Sequence, residues 1–450
     1  MKKINSVPVK ILLLLPADAI HRYKVGNFKK SLRYAPLTLT YLSALIPDDI
    51  EYDLRILDEG VESLDSLDFS PDLVGMSVMT GTAPRAYFLS SLFRAGGAKV
   101  VLGGAHPTLL PEEAKEHADS VVVGFAERSF PQLLRDYLHG CMKPMYIDTE
   151  QIPYSMIPLP RRELLNPKDY ITLNTILATR GCPNNCRFCA VPHIWKRHYF
   201  RRPVEDIVRE INTFKTDKVV FIDVNLLEDD SYTRSFLRAL ISLKLKWIGL
   251  SNVKPLCNDE IFSLIVQSGC KGLLIGFESV TEDAISGINK GFSKVSSYSD
   301  LMKKLHDHGI RVNGTFMFGT DSDTLDIFDK TVEFIDRIKI DLPRYSVFTP
   351  YPGTPVFNDL EKAGRIIEYN WAMYDVEHVV FKPKNMTPDQ LQAGLYRAWK
   401  ETYRPLSILK RISGTASIFP VILSLNLGYK YYAGKLHEYT RDIMLEGGLS

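Results

Sequence analysis

Cysteine is scarce in this chain, six in 450 residues, and the six do not form the evenly spaced set of a disulfide scaffold. An excess of charge of one sign is missing too. Lys and Arg number 55 against 53 Asp and Glu, interspersed along the chain. There is no basic stripe, which excludes nucleic acid as a partner. No apolar run reaches membrane-spanning length. The run Lys10–Leu15 is short and stops at Pro16, so it reads as a buried strand and not as a secretory segment. Membrane contact is expected to be peripheral at most, at the apolar stretch Ile418–Leu427. The expected compartment is the reducing cytoplasm. Repeats of solenoid period and low-complexity tracts are also absent. What remains is a chain too long for one ordinary domain, expected to form two large units with extras.

Residues 1–145 alternate apolar runs with helical patterns. Candidate strands are Ile11–Leu15, Tyr52–Leu57, Leu73–Ser77, Val100–Gly103 and Ser120–Val123. Amphipathic stretches Leu37–Leu45, Pro84–Phe93 and Phe130–Tyr137 lie between them. This pattern predicts an α/β domain with a doubly wound parallel sheet. Ligands of such sheets bind beyond the carboxyl ends of the strands. Three loops are singled out. In the first, Ser77 and Thr80 offer hydroxyls. In the second, Gly103 and Gly104 allow close backbone approach, followed by His106 and Thr108. Gly124 and Glu127 bound the third. No G-x-G-x-x-G follows the first strand, so the dinucleotide fingerprint is absent. Residues 146–170 read as a linker, with the Pro-rich, aperiodic stretch Ile152–Arg162 at its centre.

Half of the cysteines fall in one run, Thr179 to Cys189, at spacing C-x3-C-x2-C. The run leaves a short buried strand, Ile176–Thr179. Three thiolates so placed can hold three corners of a four-iron cluster and leave the fourth iron open to chelate a substrate. A zinc site of Cys182, Cys186, Cys189 and His193 competes with this reading. So does a disulfide loop. Cys141, Cys257 and Cys270 lie apart and read as structural thiols.

Residues 171–370 continue as strand–helix pairs. Strands are expected at Lys218–Val224, Trp247–Ser251, Gly272–Glu278, Arg311–Phe318 and Arg344–Phe348. With the cysteine-bearing strand they make six units, a partial (β/α)6 barrel whose site lies at the carboxyl strand ends. The candidates there are Asn225 beside Asp223, then Ser251-Asn252, Glu278, and the glycines Gly314 and Gly319. Glu278 reads either as a ligand contact or as a salt bridge to a neighbouring base. The glycines suit close approach of backbone to a ligand. Residues 371–450 read as a helical cap, with Thr387 as an N-cap. The aromatics of the cap read as core packing or as a cover for the barrel mouth.

The cysteine run, with Phe188 just before the last cysteine, resembles the signature of the radical S-adenosylmethionine (SAM) superfamily. The N-terminal half resembles the cobalamin-binding domain in front of many such enzymes, through Gly103-Gly104-Ala105-His106-Pro107-Thr108. Asn289-Lys290-Gly291 and Thr349 to Pro355 are typical of that group. Gly124-Phe125-Ala126-Glu127 stands where the group usually has Gly-Glu-Gly-Glu. The resemblance covers nearly the whole chain. It implies three cofactors: a [4Fe-4S] cluster on Cys182, Cys186 and Cys189, SAM, and cobalamin. It places Phe188, Asn225, Glu278, Gly314 and Gly319 around SAM. Ser77, Thr80, Gly103, Gly104, His106, Thr108, Gly124 and Glu127 then fall around cobalamin. No D-x-H-x-x-G motif is present, which implies cobalamin without a histidine on its lower face. The implied activity is methylation of an unactivated carbon of a small or lipid-like substrate through a 5′-deoxyadenosyl radical and methylcobalamin. An electron donor such as flavodoxin or ferredoxin is implied as partner. Oxidation or cyclisation without methyl transfer is the alternative, and a non-catalytic cobalamin or SAM sensor the third reading.

Overall fold

A computed structural model describes residues 3–17, 34–150, 157–228, 230–412 and 419–446. The run Val9–Leu15 (β1) is apolar on both sides because it is covered on both sides. Ile11 and Leu13 enter one core, and Leu12 and Leu14 enter the other. That is the period of two expected of a central parallel strand. Tyr52–Asp58 (β2), Leu73–Ser77 (β3), Lys99–Gly103 (β4), Ser120–Gly124 (β5) and Met145–Asp148 (β6) complete the sheet, in order β2-β1-β3-β4-β5-β6, all parallel. Helices Thr38–Ala44 and Ala126–Leu138 cover one face, while Ala83–Ala95 and Pro111–Glu116 cover the other. The order reverses at β1, so the switch point lies between β1 and β3.

Strand β6 was not expected. It is four residues long and sits at the sheet edge, with Ile147 exposed, so it carries too little pattern to read. The segment expected as linker thus begins as a strand. It also returns to the first domain, since Leu165 and Tyr170 enter the core of β1 and β2, and the Tyr170 hydroxyl donates to Asp58 Oδ2 at 3.1 Å. Of the Pro-rich stretch, residues 152–156 lie outside the described residues.

The second sheet holds Thr175–Ile176 (β7), Lys218–Phe221 (β10), Lys246–Ser251 (β11), Cys270–Glu278 (β12), Arg311–Phe318 (β13) and Leu342–Val347 (β14). Its order, β14-β13-β12-β11-β10-β7, follows the chain, and every pair is parallel. This is the open, partial barrel. The expected single strand Ile176–Thr179 is split. Its end, Thr179–Gly181 (β8), leaves the sheet and pairs antiparallel with Tyr199–Arg201 (β9). Asp223 explains the departure. Its buried carboxylate accepts the backbone N–H groups of Ala178 and Thr179 and the Thr179 hydroxyl at 2.7 Å. A side chain thus replaces the next ladder bonds. Burial raises the Asp223 carboxyl to about 6.

At the C-terminus, Thr387 caps Pro388–Thr402 in a capping box with Gln390. Helices Pro405–Ile412 and Phe419–Glu446 follow. Trp399 is buried against Tyr345 of β14, 5.5 Å between ring centroids, and against Tyr432. The late aromatics therefore pack a core. The side chain of Phe419, and Ile418 altogether, lie outside the described residues. Trp371 and Tyr374 meet edge-on, 4.8 Å between ring centroids; Tyr374 belongs to the same core, and Trp371 packs against both it and a core of the first domain. Among the described residues, no helix is long and apolar enough to cross a membrane.

Candidate active site

The cysteine loop runs between β8 and β9. Cys182, Cys186 and Cys189 are half-buried and free, which removes the disulfide reading. The loop is tied down from its far side. Asn289 donates its amide to the Asn185 carbonyl at 2.9 Å, and the Arg187 N–H reaches the Ile288 carbonyl at 3.2 Å. Burial pushes the Cys186 thiol up to about 11 and the Cys189 thiol to about 12. Buried thiols of this kind ionise when a cation takes the proton's place. Among the described residues, no three His, Cys, Asp or Glu side chains converge on one point as a single metal ion requires. A four-iron cluster takes one thiolate per iron, so its donors do not have to converge. Three soft donors on one pinned loop, within electrostatic reach of one another, fit that group. Phe188 packs against the barrel core and stands 6.2 Å from Phe348 between ring centroids.

Glu278 ends β12 with a left-handed φ of 65°, at a register shift against β13. Its carboxylate accepts from Lys290 Nζ at 2.6 Å, and Lys290 also donates to the Gly276 carbonyl at 2.8 Å. The salt bridge is thus present. Gly276 is what makes room for it, because a Cβ there would lie 2.3 Å from Glu278 Oε1. The Asn289-Lys290-Gly291 motif joins the cysteine loop, through Asn289, to the end of β12, through Lys290.

Asn225 and Asn252 meet. Asn252 donates to Asn225 Oδ1 at 3.0 Å. Both amides also converge on Glu228, a buried carboxylate that sequence reasoning missed. The glycines of β13 are placed differently from the expectation. A Cβ on Gly314 would meet Ile340 and Phe277, and one on Gly319 would meet Leu391. Both glycines serve packing, on the sheet side and under the cap. Alternation instead leaves Asn313 and Thr315 as the partly accessible residues of β13.

In the first domain, Gly104 has φ 101°, and a Cβ there would lie 2.8 Å from the Val78 nitrogen. Only glycine fits this crossing. Ser77 Oγ and Gly103 lie at the same crossing. The Thr108 hydroxyl donates to the Gly104 carbonyl at 2.7 Å and accepts from the Gly124 N–H at 3.1 Å, so it binds two of the loops together. Thr80 is buried in the turn Thr80–Thr82. His106 is buried, with Nε2 3.0 Å from the Tyr87 hydroxyl and 3.3 Å from Glu113 Oε1. Nε2 is thus engaged by protein, while Nδ1 is buried without a hydrogen-bond partner. Met79, by contrast, is 64% exposed at the end of β3. A broad apolar side chain beside the Gly103-Gly104 backbone fits the flat face of a corrin.

The two sets of strand ends face each other. Glu127 and Arg180 form an ion pair across the domains, with side chains only 7% and 12% exposed. Phe125 packs edge-on to Phe200 at 5.2 Å and also against Trp195. The departure from Gly-Glu-Gly-Glu at Phe125 has a physical reason here: its ring binds the cysteine hairpin, as the retained Glu127 does through Arg180. On the other side, the Trp371 indole donates to Glu113 Oε1 at 2.8 Å, and Gly353 of the loop after β14 abuts Leu109. Trp371 and its neighbours thus span the gap between the domains.

Comparison with known proteins agrees with this layout. Residues 176–335 match the family model of the radical SAM superfamily, and residues 24–134 match that of the B12 binding domain. The chain is 32% identical over 390 residues to the bacteriochlorophyllide d C-12(1)-methyltransferase of Chlorobaculum tepidum, covering 84% of this chain and 85% of that one. It is 28% identical over 425 residues to the C-8(2)-methyltransferase of the same organism, covering 90% and 94%. The structure of the methyltransferase TsrM from Kitasatospora setae, with cobalamin and a [4Fe-4S] cluster bound, has the same fold. Its TM-score is 0.67 at 16% identity, over 97% of this chain and 99% of that one. Two joined domains, a pinned three-cysteine loop between them and these relatives together show that the chain belongs to the cobalamin-dependent radical SAM enzymes, which work with a [4Fe-4S] cluster, SAM and cobalamin.

Proposed function

We propose that this enzyme methylates an unactivated carbon of a small, largely apolar molecule, with tetrapyrroles as the first class to examine. The observation that carries the reading is the meeting of the two strand-end faces through Glu127–Arg180 and Phe125–Phe200. Methyl transfer needs the reacting atoms close and aligned, and strand ends held together by these contacts support that need. When bound, the cluster and SAM supply a hydrogen-abstracting radical, and cobalamin supplies the methyl group.

The chain's own residues hold, orient and shield. Asn289 and the Ile288 carbonyl fix the cysteine loop. Cys182, Cys186 and Cys189 would hold the cluster. Glu278, oriented by Lys290, offers a carboxylate to an ammonium or hydroxyl group at the end of β12. The aromatic cluster of Phe125, Trp195 and Phe200 keeps water from one side of the junction between the domains. Met79, and Val224 at 49% exposure, present apolar surface at the ends of the two sheets, which supports an apolar substrate. Two relatives that act on bacteriochlorophyllide, by their names, support the tetrapyrrole class. The same reading puts the protein in the cytoplasm, fed by a small one-electron carrier such as flavodoxin or ferredoxin.

The test is incubation of the anaerobically reconstituted enzyme with methyl-labelled SAM and a panel of chlorins and apolar small molecules. A chlorin product carrying one labelled methyl on carbon is expected. Labelling of another class alone would overturn the tetrapyrrole assignment. An oxidised or cyclised product without label would overturn methyl transfer.

A further inference from the structure

In the sequence Glu228 belongs to the acidic run Glu228-Asp229-Asp230, which looks like a solvated turn. The structure buries it at 5% exposure. Its Oε1 accepts from three side-chain amides: Asn225 at 2.6 Å, Asn252 at 3.1 Å and Asn184 at 3.3 Å. Asn225 and Asn252 follow β10 and β11. Asn184 lies inside the cysteine loop, and its Nδ2 also stands 3.5 Å from Cys182 Sγ. One amide thus bridges the carboxylate to a sulfur. The nearest compensating charge is Lys254, whose Nζ is 3.7 Å from Oε2 and whose side chain is half-exposed.

Two consequences follow from chemistry. A buried anion beside a cluster favours its more positive, oxidised state. An N–H donated to a ligating sulfur favours the reduced state. We propose that Glu228 sets the reduction potential of the cluster on Cys182, Cys186 and Cys189, as a positioning residue that holds Asn184 against Cys182 and as a buried negative charge that disfavours the reduced form. The inference rests on the cluster reading. The couple is a single electron passed from a small one-electron carrier to the oxidised cluster, with no proton transfer and no bond change at Glu228.

The experiment uses the full chain, reconstituted anaerobically, with iron counted first. The potential is then measured by titration with a chemical reductant, followed by electron paramagnetic resonance of the reduced cluster. In Glu228→Gln the charge is gone while the side-chain carbonyl still accepts from Asn184. The potential is expected to rise by a tenfold gain in electron affinity, ~59 mV for a one-electron couple. Asn184→Leu keeps the charge and loses the sulfur donor, so its potential should fall. Lys254→Met removes a surface cation that screens Glu228. It should lower the potential too, and it covers the case in which Glu228→Gln loads poorly. A purely structural role would not give shifts of opposite sign. An unchanged or lowered potential in a loaded Glu228→Gln protein would overturn the proposal. So would an unchanged potential in Lys254→Met when Glu228→Gln does not load. Wild-type protein with far fewer than about four irons per chain would overturn the cluster reading, and this proposal with it.

Discussion

Replacing Cys186 with alanine leaves a folded protein without an intact cluster. Iron falls from about four per chain to residual levels, and SAM cleavage falls to background. The fold survives because Cys186 is half-buried on the loop between β8 and β9 and belongs to none of the hydrophobic cores. A substitution at such a position changes the stability of the cluster-free protein by only about 0.5 kcal/mol, so cluster-free Cys186→Ala should melt with cluster-free wild type. The whole effect falls on cofactor chemistry. Cys182→Ala and Cys189→Ala should behave alike. Cys141→Ala and Cys257→Ala, at exposed thiols, should keep full iron and full activity. Inductively coupled plasma analysis and chromatography of 5′-deoxyadenosine read both quantities. A Cys186→Ala enzyme that cleaved SAM at the normal rate would refute the assignment, as would bound zinc in place of iron.

Glu278 carries two roles that one substitution cannot separate. Glu278→Gln leaves the Lys290 ammonium, 7% exposed, without its counter-charge. Breaking a buried pair in this way costs roughly 3–5 kcal/mol, so the variant should melt well below wild type. The double variant Glu278→Gln/Lys290→Met removes the stranded charge and should recover most of that loss. If Glu278 also binds SAM, the double variant should still bind it poorly. A charge-assisted hydrogen bond is worth about 1.5–3 kcal/mol, which is a tenfold to hundredfold rise in the dissociation constant. Equilibrium binding of SAM to the cluster-loaded protein measures this. Wild-type affinity in the double variant would show that Glu278 is a salt bridge and nothing more.

The N-terminal sheet was legible because β1 alternates Ile11 and Leu13 with Leu12 and Leu14 between two cores, and such a run has few other uses. The cap at Thr387 was legible for a local reason: both hydrogen bonds of its capping box lie within four residues. The loop that carries the three cysteines was legible from the apolar strand before it. Long-range features were not. Strand β6 needs β5 to define it. Glu228 was passed over, because nothing local announces three amides arriving from Asn184, Asn225 and Asn252. Gly314 and Gly319 drew attention as glycines, but their purpose is set by Ile340 and Leu391, which lie far off or on another layer. Phe125 looked like a departure from a motif until Phe200 and Trp195 were seen against it. Periodicity and spacing are properties of short stretches of chain, whereas the partner of a buried polar or aromatic group is a property of the fold.

Counting co-products tests the central claim most directly. Enzyme carrying cluster and cobalamin is supplied with SAM, a one-electron donor and the methyl-accepting substrate. Each methyl group added should be accompanied by one 5′-deoxyadenosine and one S-adenosylhomocysteine, because one SAM is spent on hydrogen abstraction and a second on restoring the methyl group. Omission of cobalamin should abolish the methylated product. Formation of 5′-deoxyadenosine and an altered substrate without S-adenosylhomocysteine would contradict methyl transfer and show that the enzyme serves oxidation or cyclisation.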